Sequence, residues 1–395
     1  MKKILFIVWA LCTFGATYAL NPAFNEMVEL WDASQSLYTQ KNYGKAAKCL
    51  EQYIQQCAEL PDSLQAQVNL AGTYYNLACY NALAGRKRAA VNAFDKYVDL
   101  VVGKQEIDYG FICRDTDLNP IRSDKRFVAA MQRLGEWGDY KTILQKAPGY
   151  AAADCDSLPG FYYANPNDRN LVRLRQYYNL DSIAGAGDEI SKMINLMTWV
   201  HNTVRHDGGS SWPEERTAMA MIELCRNEKR GVNCRMLAMI LNECYLAMGF
   251  KSRYITCMPK NMVSDCHVIN AVYSVTLDKW VWMDPSFNAY VTDENGIPLS
   301  IAEVRKRIRE GGDYFLNEDA NWNNREKQTK ESYLDRYMAK NLYYLEAASQ
   351  NIYGAEWEHD GHPGQYYINL IPVGQPDNRF FHTTDEEWFW QSPYK

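Results

Sequence analysis

The chain lacks the cysteine density of a small disulfide scaffold. Eleven of its 395 residues are Cys, ten of them beyond position 19. No Cys-x-x-Cys pair and no His-x-x-x-His spacing exists, so no metal is expected, and no glycine-rich phosphate loop announces a nucleotide cofactor. Positive charge is also lacking. The formal net charge is −6, and the most basic run, Gly85-Arg-Lys-Arg88, is short, which argues against a nucleic-acid partner. Beyond the N-terminus there is no apolar run long enough to span a bilayer.

What is present begins with an export signature. Met1-Lys-Lys3, the apolar stretch Ile4–Gly15 and the small-residue end Thr17-Tyr18-Ala19 have the three regions of a secretory signal peptide. The expectation is removal of residues 1–19, a chain starting near Leu20, no membrane span after cleavage, and a secreted or periplasmic location. Cys12 follows Leu11, a poor lipoprotein cleavage context.

Residues 20–140 have helical patterning with an internal echo. Ala46, Leu50 and Tyr53 reappear as Ala90, Phe94 and Tyr97 at a shift of 44, each set following a short turn. These pairs resemble tetratricopeptide repeats lengthened by an insert near Pro61, which implies a concave surface for a peptide or protein partner; a helical domain without a partner is the plainer alternative. Pro148-Gly149, Pro159-Gly160 and Asn165-Pro166 mark residues 141–187 as a linker with a lead-in helix near Asn170–Tyr178. Residues 188–320 are expected to form the core of the second half, and 321–395 an aromatic-rich extension that covers its sheet.

Three residues in order point to nucleophilic chemistry: Cys234, His267 and Asp284. A thiol needs a neighbouring base to ionise near neutral pH, and the base needs an acceptor to fix its tautomer. Leu237, Ile240, Leu241, Cys244, Tyr245 and Met248 recur with helical spacing and Gly249 supplies a stop, so Cys234 falls in the first turn of a helix. There the free backbone N–H groups and the helix dipole favour a thiolate and can hold an oxyanion. Lys251–Cys257, His267–Thr276 and Trp280–Asp284 read as strands. The last two form a hairpin whose midpoint lies just before the turn at Leu277-Asp278-Lys279, so His267 and Asp284 meet only with a small stagger or a bulge. The other histidines, His201, His206, His359, His362 and His382, read as structural or surface residues.

From about Ile190 to Asn288 this pattern resembles the transglutaminase-like core of the papain-like cysteine enzymes. The shared features are Cys at a helix start, His on a strand, Asp-Pro at the next strand (Asp284-Pro285), and an arginine-bearing strand after Gly249 (Arg253). Many relatives carry Gly two residues before the nucleophile; here Val232 holds that place and Gly231 precedes it. The resemblance implies an α+β fold and a Cys-His-Asp triad acting on an amide through an acyl-enzyme. Trp212, by likeness to animal transglutaminases, and Asn233 are the candidates for the oxyanion pocket. The expected activity is an exported peptidase or amidase with no cofactor, acting on a peptide or protein, with cell-wall peptide or a glycan-linked amide as further substrate classes. Protein-glutamine transamidation and a non-catalytic binding protein that uses the helical repeats are the alternatives.

Overall fold

The computed structural model describes residues 22–261, 265–356, 365–375 and 381–394. The expected signal peptide, Cys12, His359 and His362 lie outside the described residues. The chain divides at Asp139/Tyr140 into two compact units.

In the first unit, helices α1 (Pro22–Thr39) and α2 (Tyr43–Glu59) pack as one pair, α3 (Leu70–Leu83) and α4 (Lys87–Val101) as another, with α5 (Lys125–Gly138) against α4. The residues of the sequence echo occupy like positions. Ala46 and Leu50 of α2 and Ala90 and Phe94 of α4 are all buried on the inward stripe of the second helix of each pair. The turn between α3 and α4 uses Gly85 at φ +76°, a conformation that costs a residue with a side chain. The Asn69 side chain caps α3 by accepting from Gly72 N at 2.9 Å.

The second unit is mixed α and β. Its sheet has six strands: β1 (Ser252–Met258), β2 (His267–Ser274), β3 (Lys279–Met283), β4 (Tyr344–Ala348), β5 (Tyr367–Leu370) and β6 (His382–Thr383), in the order β6-β5-β4-β1-β2-β3. All neighbours are antiparallel except β5 with β6. Every residue of β1 and β2 is buried, so both faces of the sheet are covered. One face packs on helices α6 (Arg169–Tyr178), α7 (Glu189–Thr203), α8 (Ala218–Glu228) and α9 (Cys234–Ala247). The other packs on α10 (Ile301–Glu310), the helical segment Lys330–Met338 and Phe389.

Two expectations need correction. The segment 141–187 is not a linker but part of the second unit, because Leu144, Leu171 and Leu174 supply fully buried side chains to its cores. Helix α9 does not bury a single face. Residues 236–247 are buried all round, since the sheet lies on one side and three helices on the other. It ends as expected at Gly249, with φ +88°.

Arg253 on β1 is wholly buried, its guanidinium 4.1 Å from the Phe161 ring, 4.3 Å from Trp280, 5.3 Å from Trp390 and 5.5 Å from Phe389. None of its three nitrogens meets a hydrogen-bond acceptor, and desolvation lowers its pKa. Ring faces stand in for a carboxylate.

Candidate active site

Helix α9 places the thiol. Its N-cap is Asn233, whose Oδ1 accepts from Met236 N at 3.0 Å, and Cys234 is the first helical residue. The cap uses the Asn233 side-chain oxygen as an acceptor. The Trp212 ring is 36% exposed and lies 4.8 Å from the Arg216 guanidinium.

The hairpin places the imidazole and the carboxylate. In the β2/β3 register Asn270 faces Met283, so Asp284 comes opposite Ile269, two residues from His267. A two-residue stagger keeps both side chains on one face of the sheet, and no bulge is needed. His267 Nε2 lies 2.7 Å from Asp284 Oδ2, and both residues are buried. Tyr333 O–H donates to the same oxygen at 2.5 Å, while Asp284 Oδ1 accepts from Ser286 N at 2.8 Å and Phe287 N at 3.4 Å. All these partners are donors, so the carboxylate needs no proton to satisfy them. The imidazole ring is flanked by Tyr337 at 5.2 Å and Phe287 at 5.5 Å. Because Nε2 is committed to Asp284, the edge left for the thiol is Nδ1. That nitrogen is buried and makes no ideally directed hydrogen bond, yet the ring and the Cys234 sulfur interact closely enough for each to shift the other's ionisation.

A second imidazole reaches the thiol. Sequence reasoning assigned His206 a structural or surface role, and the structure corrects this: its side chain stands close enough to Cys234 to lower the thiol's pKa. Backbone pairing brings it there. Val232 N donates to Arg205 O at 3.0 Å and Asp207 N to Val232 O at 2.7 Å, an isolated parallel bridge that ties the His206 segment to the turn entering α9. Gly231 makes the approach possible, since a Cβ there would stand 2.6 Å from Arg205 O and 2.7 Å from Asp207 Cβ. From the other side Asn323 clasps the His206 backbone, accepting from its N at 2.7 Å and donating to its O at 2.9 Å. Trp322 Nε1 donates to His206 Nδ1 at 3.0 Å. The signal available in the sequence was Gly231 itself, a residue chosen for close backbone approach. Tyr333 and Trp322 left no signal.

His201 is structural, as expected. It is buried at the end of α7, with Nδ1 2.9 Å from Pro285 O and Nε2 3.0 Å from Asn321 Oδ1. His382 is exposed at the sheet edge.

Burial pushes the Cys234 thiol up, but the neighbouring His206 and His267 rings outweigh it, and the pKa falls to about 6. Burial alone would push His267 down. The Asp284 carboxylate beside it and the thiolate facing it reverse that, and its pKa rises to about 10. Near neutral pH the pair is thus thiolate and imidazolium. The thiols of Cys244 and Cys257, buried without such partners, shift upward. Cys234 takes part in no disulfide.

A half-buried thiol at a helix start, beside a hairpin on which a carboxylate meets an imidazole, is consistent with a cysteine-enzyme fold. Residues 177–285 match the family model of the transglutaminase-like superfamily. That span contains His206, Cys234, His267 and Asp284. A solved structure from Cytophaga hutchinsonii, proposed to be a cysteine protease, is similar over 42% of this chain at 18% identity with a TM-score of 0.26, and the match spans 54% of that protein. No curated protein matches the chain.

Proposed function

We propose that this protein is a cysteine-dependent amide-bond hydrolase, a peptidase or amidase. The observation that supports it best is the Cys234 thiol held between two imidazoles with its pKa near 6. The thiolate attacks the amide carbonyl carbon, forming a C–S bond as the carbonyl pair moves to oxygen. The tetrahedral species collapses, the C–N bond breaks, and His267 delivers its proton to the leaving amine. Asp284 keeps Nε2 of His267 occupied and stabilises the imidazolium. In the second half, His267 takes a proton from water, which attacks the thioester and releases the acid and the thiolate.

A peptide or protein is the substrate class proposed, with cell-wall peptide and glycan-linked amides within the same chemistry. Export is part of the reading and rests on residues 1–19; N-terminal sequencing of exported protein should find a start near Leu20. Among the described residues no helix is long and apolar enough to cross a membrane. Screening peptide and amide substrates with wild type and Cys234→Ala tests the activity. Turnover should vanish in the variant while its thermal transition stays put, because removing a half-buried sulfur at a helix start leaves little cavity. Undiminished turnover by Cys234→Ala would end this reading. Product analysis with an added primary amine separates hydrolysis from transamidation.

A further inference from the structure

The two imidazoles at Cys234 present opposite edges. His267 gives Nε2 to Asp284, a pure acceptor when ionised, so Nε2 carries the proton and Nδ1 turns a lone pair toward the thiol. His206 has the reverse arrangement. The indole of Trp322 can only donate, so His206 Nδ1 must accept, and the ring proton sits on Nε2. With Nδ1 taken, Nε2 is the atom left to engage Cys234. One ring can accept the thiol proton. The other can only give a hydrogen bond.

We propose that His206 is a catalytic residue, the oxyanion donor, and that Trp322 is the positioning residue that fixes its tautomer. This rests on Cys234 being the acylated nucleophile. The location suits the task. His206 is half-buried rather than sealed in, its backbone is clamped on both sides by Val232 and Asn323, and it approaches the sulfur from the turn that leads into the helix start. As the carbonyl oxygen gains charge, Nε2–H donates to that oxygen, which the Cys234 backbone N–H also meets. No proton moves; a donor placed beforehand stabilises charge where it develops.

Two probes of one sulfur separate this role from simple thiolate stabilisation. Iodoacetamide alkylates the thiolate by displacing iodide and develops no oxyanion. p-Nitrophenyl acetate acylates it through a tetrahedral oxyanion and releases p-nitrophenolate without needing a proton, so His267 is not required as acid. Both rates are measured on the full chain at alkaline pH, where the thiol is fully ionised in every variant. His206→Ala should lower the ratio of acylation to alkylation by roughly 10²–10³-fold, the cost of losing one oxyanion donor. Trp322→Phe should lower it in the same direction by less. If His206→Ala fails to fold, His206→Phe fills the volume without the donor, and the alkylation rate at Cys234 reports whether the site is intact. An unchanged ratio in the His206 variants, or equal falls in both rates, would overturn the proposal; an unchanged ratio in Trp322→Phe would overturn the tautomer argument. Loss of neither reaction in Cys234→Ala would instead defeat the underlying reading and leave wild type reacting elsewhere.

Discussion

Alkylation of Cys234 as a function of pH tests the electrostatics of the site most directly. An ordinary thiol ionises near 9, and the two imidazoles bring Cys234 to about 6. At pH 7 that raises the thiolate fraction by roughly 90-fold, but a less basic thiolate is a poorer nucleophile, and a Brønsted slope of about 0.4–0.5 over about three units takes back roughly 16- to 32-fold. The net advantage over an ordinary thiol at pH 7 is then only about three- to sixfold. At about pH 5.5 an ordinary thiol is almost wholly protonated while roughly a quarter of Cys234 is ionised, and the advantage grows to about 25- to 50-fold. Acidic labelling therefore discriminates far better than neutral labelling. The assay is iodoacetamide modification across the pH range with peptide mapping. The Cys234 rate should rise with a midpoint near 6 and stay level at alkaline pH. A midpoint at the ordinary thiol value, about 8.5, would refute activation by the histidines.

Turnover should differ from alkylation at the alkaline end, because it needs the His267 proton for the leaving amine. The kcat profile should fall as pH passes about 10, whereas alkylation does not, and parallel profiles would contradict the acid role. Asp284→Asn should cut kcat by roughly 10²–10⁴-fold while leaving some activity, since every partner of the carboxylate is a donor and an amide must turn its NH2 against one of them; kinetics against Cys234→Ala decide this. Gly231→Ala should separate the His206 segment from Val232 and depress the acylation-to-alkylation ratio, and wild-type behaviour of that variant would disprove the close approach. Glu243, buried within α9, accepts from Ala218 N at 2.8 Å and Gly354 N at 2.9 Å, yet desolvation holds its pKa up to about 8. A raised carboxyl pKa stabilises the fold fully below the ordinary value near 4.5 and loses that contribution as pH rises through about 8, so the thermal midpoint of wild type should fall over that window relative to Glu243→Gln. Parallel curves would show that Glu243 holds no proton.

The parts of the site that were legible share one property: each is declared by residues adjacent in sequence. Cys234 is followed by a helical stripe closed by Gly249, and His267 and Asp284 sit on strands joined by a polar turn, so periodicity alone brings them near one another. His206 was illegible because nothing periodic leads to it. It lies on an extended segment that reaches the thiol through two backbone hydrogen bonds to Val232, and main-chain pairing of that kind leaves no trace in side-chain pattern. Trp322 and Tyr333 are separated from their partners by 116 and 49 residues, and their hydrogen-bonding ends are chosen by packing. The error over 141–187 had a different origin. Pro-Gly and Asn-Pro pairs report turns truthfully, but they say nothing of the buried leucines between them, and burial rather than turn content decides whether a segment belongs to a core.

The short hairpin Asn321–Trp322 with Glu326–Lys327 has a practical consequence for anyone preparing the smallest working fragment. It lies past the end of the family-matched span, as does Tyr333, yet it touches both histidines that precede the nucleophile: Asn321 meets His201, Trp322 and Asn323 meet His206. A fragment cut at residue 285 would contain Cys234, His267 and Asp284 and still be chemically incomplete. Expression boundaries drawn from the matched segment should be expected to give a protein whose thiol labels slowly at acidic pH and acylates poorly, and a usable fragment has to extend at least through Trp390, because strands β4 to β6 and Phe389 complete the sheet and its core.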